Sequence, residues 1–279
     1  MTKPNGGTFR GWCPDPFSNG AFLTIFFMLI AAAWLVLFAW SLNPDTPLAE
    51  FDLHTIPLFF SPLRLASLCR SPASEMSAGT NIAMWGLMSV GMMLPTATPI
   101  IGAYFTLAST QPLRIRASNI WGLLGGYVAV WFAFSFGTGL AQWTLARLGL
   151  ISIPGLSGYA PLSVALLLVA GLYQFSAIKA ACLSRCRSPF GFLISAWRDG
   201  FVGAFNMGVR HGLDCLGCCW ALMLLAFVGG AMNLIWMGIA TGLMALEKLP
   251  SIGRPLTKPL GILLIGGAIY AGWIDLTAN

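Results

Sequence analysis

The sequence predicts an all-α protein, a polytopic transmembrane helix bundle of about seven helices whose fifth and sixth form a short hairpin. Apolar residues make up 57% of the chain and charged residues only 9%, against roughly a quarter charged in soluble domains. The apolar residues are gathered into long runs, and 279 residues leave room for about six or seven crossings at ~20 residues each. The third observation is where the charge sits. Although the net charge is +6, the basic residues lie in short connections between apolar runs, where they set topology. No Lys/Arg block forms a phosphate-binding surface, so nucleic acid is excluded as a partner and the lipid bilayer is the expected one. The whole chain, 1–279, reads as a single integral membrane domain.

Residues 1–20 are polar and rich in Gly and Pro, a short cytoplasmic tail. The first helix runs roughly Ala21–Trp40, too long and without the small-residue cleavage site of a removable signal; Trp34 and Trp40 mark its outer end as an aromatic belt does. The polar stretch 41–79, with Asp45, Glu50, Asp52, His54 and Glu75, is placed outside the cytoplasm, His54 solvated within it. The second helix, Thr80–Leu107, contains Pro95 and Pro99, each of which removes a helical hydrogen bond and predicts a kink or break. A loop with Arg114 and Arg116 follows. The third helix spans Ile120–Trp143, with glycines at 125, 126, 137 and 139 permitting close packing. After an outer loop at 147–160, the fourth helix runs Pro161–Cys182, with Arg185 and Arg187 at its cytoplasmic boundary. Residues 188–199 read as a segment lying in the interface, and the last helix as Pro259–Ile274. Lys3, Arg10, Arg114, Arg116, Lys179, Arg185, Arg187, Arg198, Lys248, Arg254 and Lys258 then fall on the cytoplasmic side, eleven of fifteen basic residues. That asymmetry predicts seven helices, with the N-terminus in the cytoplasm and the C-terminus outside. Of the seven cysteines, Cys13 and Cys69 are separated by the bilayer and the other five sit in its cytoplasmic half, where thiols stay reduced.

The chain's chemistry is concentrated in His211–Met223, HGLDCLGCCWALM. On a helix His211, Asp214, Cys215, Cys218 and Cys219 share a face roughly 140° wide. Soft thiolates, an imidazole and a carboxylate converging there form a metal-ligand constellation. Cys182 and Cys186 have the i, i+4 spacing that lets two thiolates reach one ion, and Met84, Met88 and Met92 repeat every four residues as a thioether stripe that is core packing first. Arg210 and Asp214 read as an ion pair at the membrane boundary, with Asp214 also able to orient His211. Glu247–Lys248 reads as the cytoplasmic cap of the sixth helix.

Two placements of this stretch compete. A helix from Gly200 to about Gly229 buries Arg210, His211 and Asp214 mid-bilayer, each at a cost of a few kcal/mol unless paired. A helix starting near His211, with Gly200–Arg210 along the interface, makes a short hairpin turning at 229–231. The second is preferred because it brings Cys215 to the depth of Cys182 and Cys186. Under the first, the two cysteine groups differ by ~15–20 Å at the helical rise and need separate sites.

The runs MWGLMSVGMMLPTATP, YQFSAIKAACLSRCRSP, GVRHGLDCLGCCWALM and MNLIWMGIATGLMALEK resemble the signature blocks of a bacterial family of predicted metal-binding integral membrane proteins, a domain of unknown function. The blocks span Met84–Lys248 and mark residues 80–248 as a family-like core. The resemblance implies metal binding without naming an ion or reaction, and makes Cys182, Cys186, His211, Asp214, Cys215, Cys218 and Cys219 the candidate ligand positions. The leading reading is therefore a membrane protein that handles a soft transition metal by transport, sensing or delivery. Copper ranks ahead of zinc because the methionine stripe can serve Cu(I). The alternatives are a thiol oxidoreductase using the Cys215/Cys218 CxxC spacing and an accessory subunit of a larger membrane complex. Two histidines predicted on opposite sides exclude bis-histidine haem, and no P-loop, dinucleotide fingerprint or Ser/His/Asp arrangement is present, so no catalytic residues are assigned.

Overall fold

A computed structural model describes residues 16–41, 77–150, 160–229 and 233–278. Residues 1–15 of the tail, His54, Cys13, Cys69 and most of the 41–79 and 147–160 connections lie outside the described residues, as do residues 230–232; residues 16–20, read as tail, open the first helix. Within them the chain is helical, without strands: α1 (Pro16–Ser41), α2 (Ala78–Met93), a 3-10 turn (Pro95–Ala97), α3 (Thr98–Leu107), α4 (Leu113–Arg147), α5 (Ala160–Tyr173), α6 (Ala177–Cys186), α7 (Pro189–Ala196), α8 (Gly200–Leu224), α9 (Ala226–Gly229), α10 (Leu234–Lys248) and α11 (Gly253–Ala278). Among the described residues five helical segments are long and apolar enough to cross a membrane, and six if the bent α5–α6 pair is one span. α10 has only 15 residues, under the ~20 a crossing needs.

The break between α2 and α3 follows from its prolines. Pro95 has no N–H for the Gly91 carbonyl, and the Trp34 indole of α1 donates to that oxygen instead, at 3.1 Å. Trp34 therefore ties α1 to α2 rather than marking a rim. Pro99 likewise frees the Pro95 carbonyl, which accepts from the Thr98 hydroxyl at 2.7 Å. The Ala97 amide turns to Leu94 at 3.0 Å, leaving the Met93 carbonyl open for side chains.

α4 lies between α2 and α8 and makes its most extensive interface with α8. Backbone meets backbone there: a Cβ at Gly126 would overlap the Phe205 carbonyl, and one at Gly208 the Leu123 carbonyl. α4 also begins earlier than expected, so Arg114 and Arg116 occupy its first turn rather than a loop.

Two expectations for the second half are corrected. First, α8 starts at Gly200, not near His211, and runs unbroken to Leu224. Its first turns are fixed by the glycine-mediated contact with α4, which a segment lying along an interface would forfeit. The end of α8 is tied to α10, where the Trp236 indole donates to the Leu225 carbonyl at 3.1 Å. Second, the fourth helix is not straight: α5 and α6 meet at 65°, the break being sealed by Ser176, whose hydroxyl caps the Lys179 amide at 3.1 Å. The depth argument against a Gly200 start assumed straight helices. The bend removes it.

Exposed apolar side chains gather on α1 and α11, among them Met28, Leu35, Leu263, Ile269 and Trp273. Such surfaces are compatible with a membrane protein.

Candidate metal centre

The Pro95 break, α4, α6, α8 and α10 converge on one buried point. Cys215, Cys218 and Cys219 project from α8 with their sulfurs all within 4.8 Å of one another, and each is at most 1% exposed. The Sγ atoms of Cys218 and Cys219 are 3.2 Å apart. From α6, the Cys186 Sγ reaches to 4.0 Å from that of Cys218. All four thiols are free. Four sulfurs from two helices thus meet at one buried point, the donor chemistry that selects soft and borderline metals.

The surroundings of Cys215 come from residues the sequence left unassigned. The Met93 carbonyl freed by the break accepts the Tyr127 hydroxyl at 3.0 Å, and that hydroxyl lies 3.1 Å from the Cys215 Sγ. Lys248, at the end of α10, donates to the same sulfur at 3.0 Å and to the Thr96 hydroxyl at 2.7 Å. An ammonium on a cysteine sulfur in a closed site is satisfied best by a thiolate, because the opposite charges compensate each other's loss of water. Lys248 is therefore no cytoplasmic cap. The residue before it, Glu247, pairs with Lys179 at 2.8 Å, both 1% exposed. That buried pair fixes α10 to α6 and so sets where Lys248 arrives. It also takes Lys179, 1% exposed, out of the set of surface basic charges. One signal for both residues was present: a Glu–Lys pair ending an apolar helix too short to carry it to a membrane surface.

Residues 82–271 match the family described as PpoB2, copper chaperone. The chain belongs to this family. No curated protein matches the chain, and no solved structure does. The family description and the buried cysteine cluster together fit metal binding.

Not every residue of the candidate set joins the cluster. Cys182 sits against the backbone of Gly217, where its sulfur occupies the space a Cβ would take; that part of α8 faces away from the trio. Cys186 and Cys182, one turn apart on α6, thus meet different parts of α8, Cys218 and Gly217 respectively. Asp214 pairs with Arg185 at 2.9 Å rather than with Arg210 or His211. It lines an open cleft of about 490 Å3 with both arginines and Ser188. His211 is 5% exposed, its ring stacked on Tyr127 with centroids 5.8 Å apart and tilted against Phe192. Its Nδ1 has no hydrogen-bond partner among the described residues. Met84, Met88 and Met92 are buried in the apolar core.

A second cleft, of about 800 Å3, opens beside the sulfurs and is lined by Thr96, Thr98, Thr106, Cys186, Arg187 and Lys248 among others. Arg187 caps α6 and donates through Nε to the Glu247 carbonyl at 2.9 Å. Burial draws its guanidinium below the ordinary value and the Glu247 charge pushes back; an arginine stays charged throughout.

Proposed function

We propose that this chain is an integral membrane protein that binds Cu(I) through Cys186, Cys215, Cys218 and Cys219 and passes it to an acceptor protein. The observation that carries the reading is the meeting of the α6 sulfur with the α8 trio at one buried point. Cu(I) accepts two or three thiolates and exchanges between them readily, and a cluster of four closely spaced sulfurs offers overlapping sets of that kind. The copper chaperone family supports copper over zinc. Lys248 offsets the anionic charge of the thiolates, and Tyr127, held by the Met93 carbonyl and stacked on His211, orients Cys215. Asp214 and Cys182 lie apart from this set and the methionine stripe packs the core. The five long apolar helices and the exposed apolar surfaces of α1 and α11 support insertion in the bilayer, with the inner membrane as the location and the N-terminus in the cytoplasm.

The test is anaerobic loading of detergent-purified protein with Cu(I), followed by metal analysis and X-ray absorption at the copper edge. The expected result is stoichiometric copper in an all-sulfur first shell, lost in Cys215→Ser/Cys218→Ser. Copper below a tenth of an equivalent, or a first shell of nitrogen and oxygen, would overturn the reading.

A further inference from the structure

Holding an ion and admitting it are different problems, and the second cleft addresses the latter. Cys186 lines it, whereas Cys215, Cys218 and Cys219 do not, so Cys186 is the sulfur met first from that side. The charged groups of its lining are Arg187 and Lys248, and no aspartate or glutamate lines it among the described residues. Glu247 is outside that lining, and its Oε2 pairs with Lys179. The Nη2 of Arg187 is buried without a hydrogen-bond partner. Two cations and no carboxylate make a mouth that repels a bare metal cation and concentrates anions.

We propose that this cleft receives the metal as an anionic complex, a small carboxylate-bearing thiol with Cu(I) held on its sulfur. The proposal rests on the Cu(I)-handling reading above and adds the form in which the ion arrives. A volume of about 800 Å3 lies within the range of small-molecule sites, roughly 300–1,000 Å3. A carboxylate of the carrier pairs with the guanidinium of Arg187, which lines the cleft, as a charge-assisted contact. A second anionic group engages Lys248 and draws its ammonium from the Cys215 sulfur, freeing the lone pair that the metal needs. The transfer is a ligand exchange. The bond from copper to the carrier sulfur breaks as the bond to Cys186 Sγ forms, and the Cys186 thiol proton passes to the carrier sulfur. Copper remains Cu(I), no electron moves, and the carrier leaves as a free thiol. Cys218, 4.0 Å further on, accepts the ion next.

Stopped-flow loading of the full-length protein in detergent tests this. Cu(I) is presented either on glutathione or on glutathione diethyl ester, which has the same thiol and no free carboxylate. The wild type is expected to load at least about tenfold faster from glutathione, with a preference that shrinks as added salt screens the cleft. Arg187→Gln is expected to lose the preference and Arg187→Lys to retain most of it, separating charge from a folding defect. Equal loading rates from the two carriers at low salt would overturn the proposal and leave the Cu(I) site standing. So would a preference that survives in Arg187→Gln. Suppression of loading from both carriers alike by anionic lipid would assign the cleft to a lipid headgroup instead and likewise overturn it. Failure to take up Cu(I) from either carrier would overturn both readings together.

Discussion

Two faces of α8 lie only a residue or two apart in sequence and do opposite things. One presents Cys215, Cys218 and Cys219 to α4, α6 and α10, dry and at most 1% exposed. The other presents Asp214 to an open cleft, where its partner Arg185 is 65% exposed. Both faces carry groups that bind metals in other settings. What separates them is burial: buried sulfurs backed by a cation suit a soft ion, while a carboxylate already paired with an exposed arginine is a poor competitor for one. Residue type nominated both faces, and packing chose between them.

Substitutions on each face sharpen the contrast. Cys218 touches both Cys186 and Cys219, so Cys218→Ser should reduce Cu(I) affinity by more than about 100-fold, exceeding the loss of an outer-shell partner; chelator competition measures it, and an unchanged constant would move the site elsewhere. Lys179→Ala strands the Glu247 charge in the interior and should cost about 3–5 kcal/mol, whereas replacing both partners with methionine should cost little. Thermal unfolding in detergent distinguishes the two variants. Gly208→Ala forces α8 away from the Leu123 carbonyl and should cost about 1–3 kcal/mol, weakening copper binding as the sulfur face shifts from α4. The smallest effects belong to the open side. Asp214→Asn removes a pair exposed on its arginine side and should cost under about 1 kcal/mol, with copper affinity unchanged. Cys182→Ser should also leave affinity unchanged, and a large loss in either variant would erase the distinction between the faces.

Sulfur chemistry on one helix face was legible before any coordinates because three cysteines at helical spacing leave few other arrangements. So was the break at Pro95, which follows from a missing N–H. The joining of Cys186 but not Cys182 was not legible, because i, i+4 spacing treats them alike and only the packing of α6 on α8 sets Cys186 beside Cys218 and Cys182 against Gly217. Lys248 was read as a surface cap because basic residues at helix ends usually are. Its partner Cys215 lies 33 residues away, and no local pattern connects them. Tyr127 was passed over for the same reason.

The order of apolar segments, their helical periods and the positions of proline and sulfur determined the class of the molecule and the chemistry it can offer, since these depend on local covalent structure and on the cost of exposing apolar surface to water. Which of those sulfurs meet, which cation stands beside them and which face stays open were decided by how α4, α6, α8 and α10 pack. Those outcomes depend on bends, glycine contacts and a buried ion pair between residues distant in the chain, and only the assembled structure brings them within bonding distance.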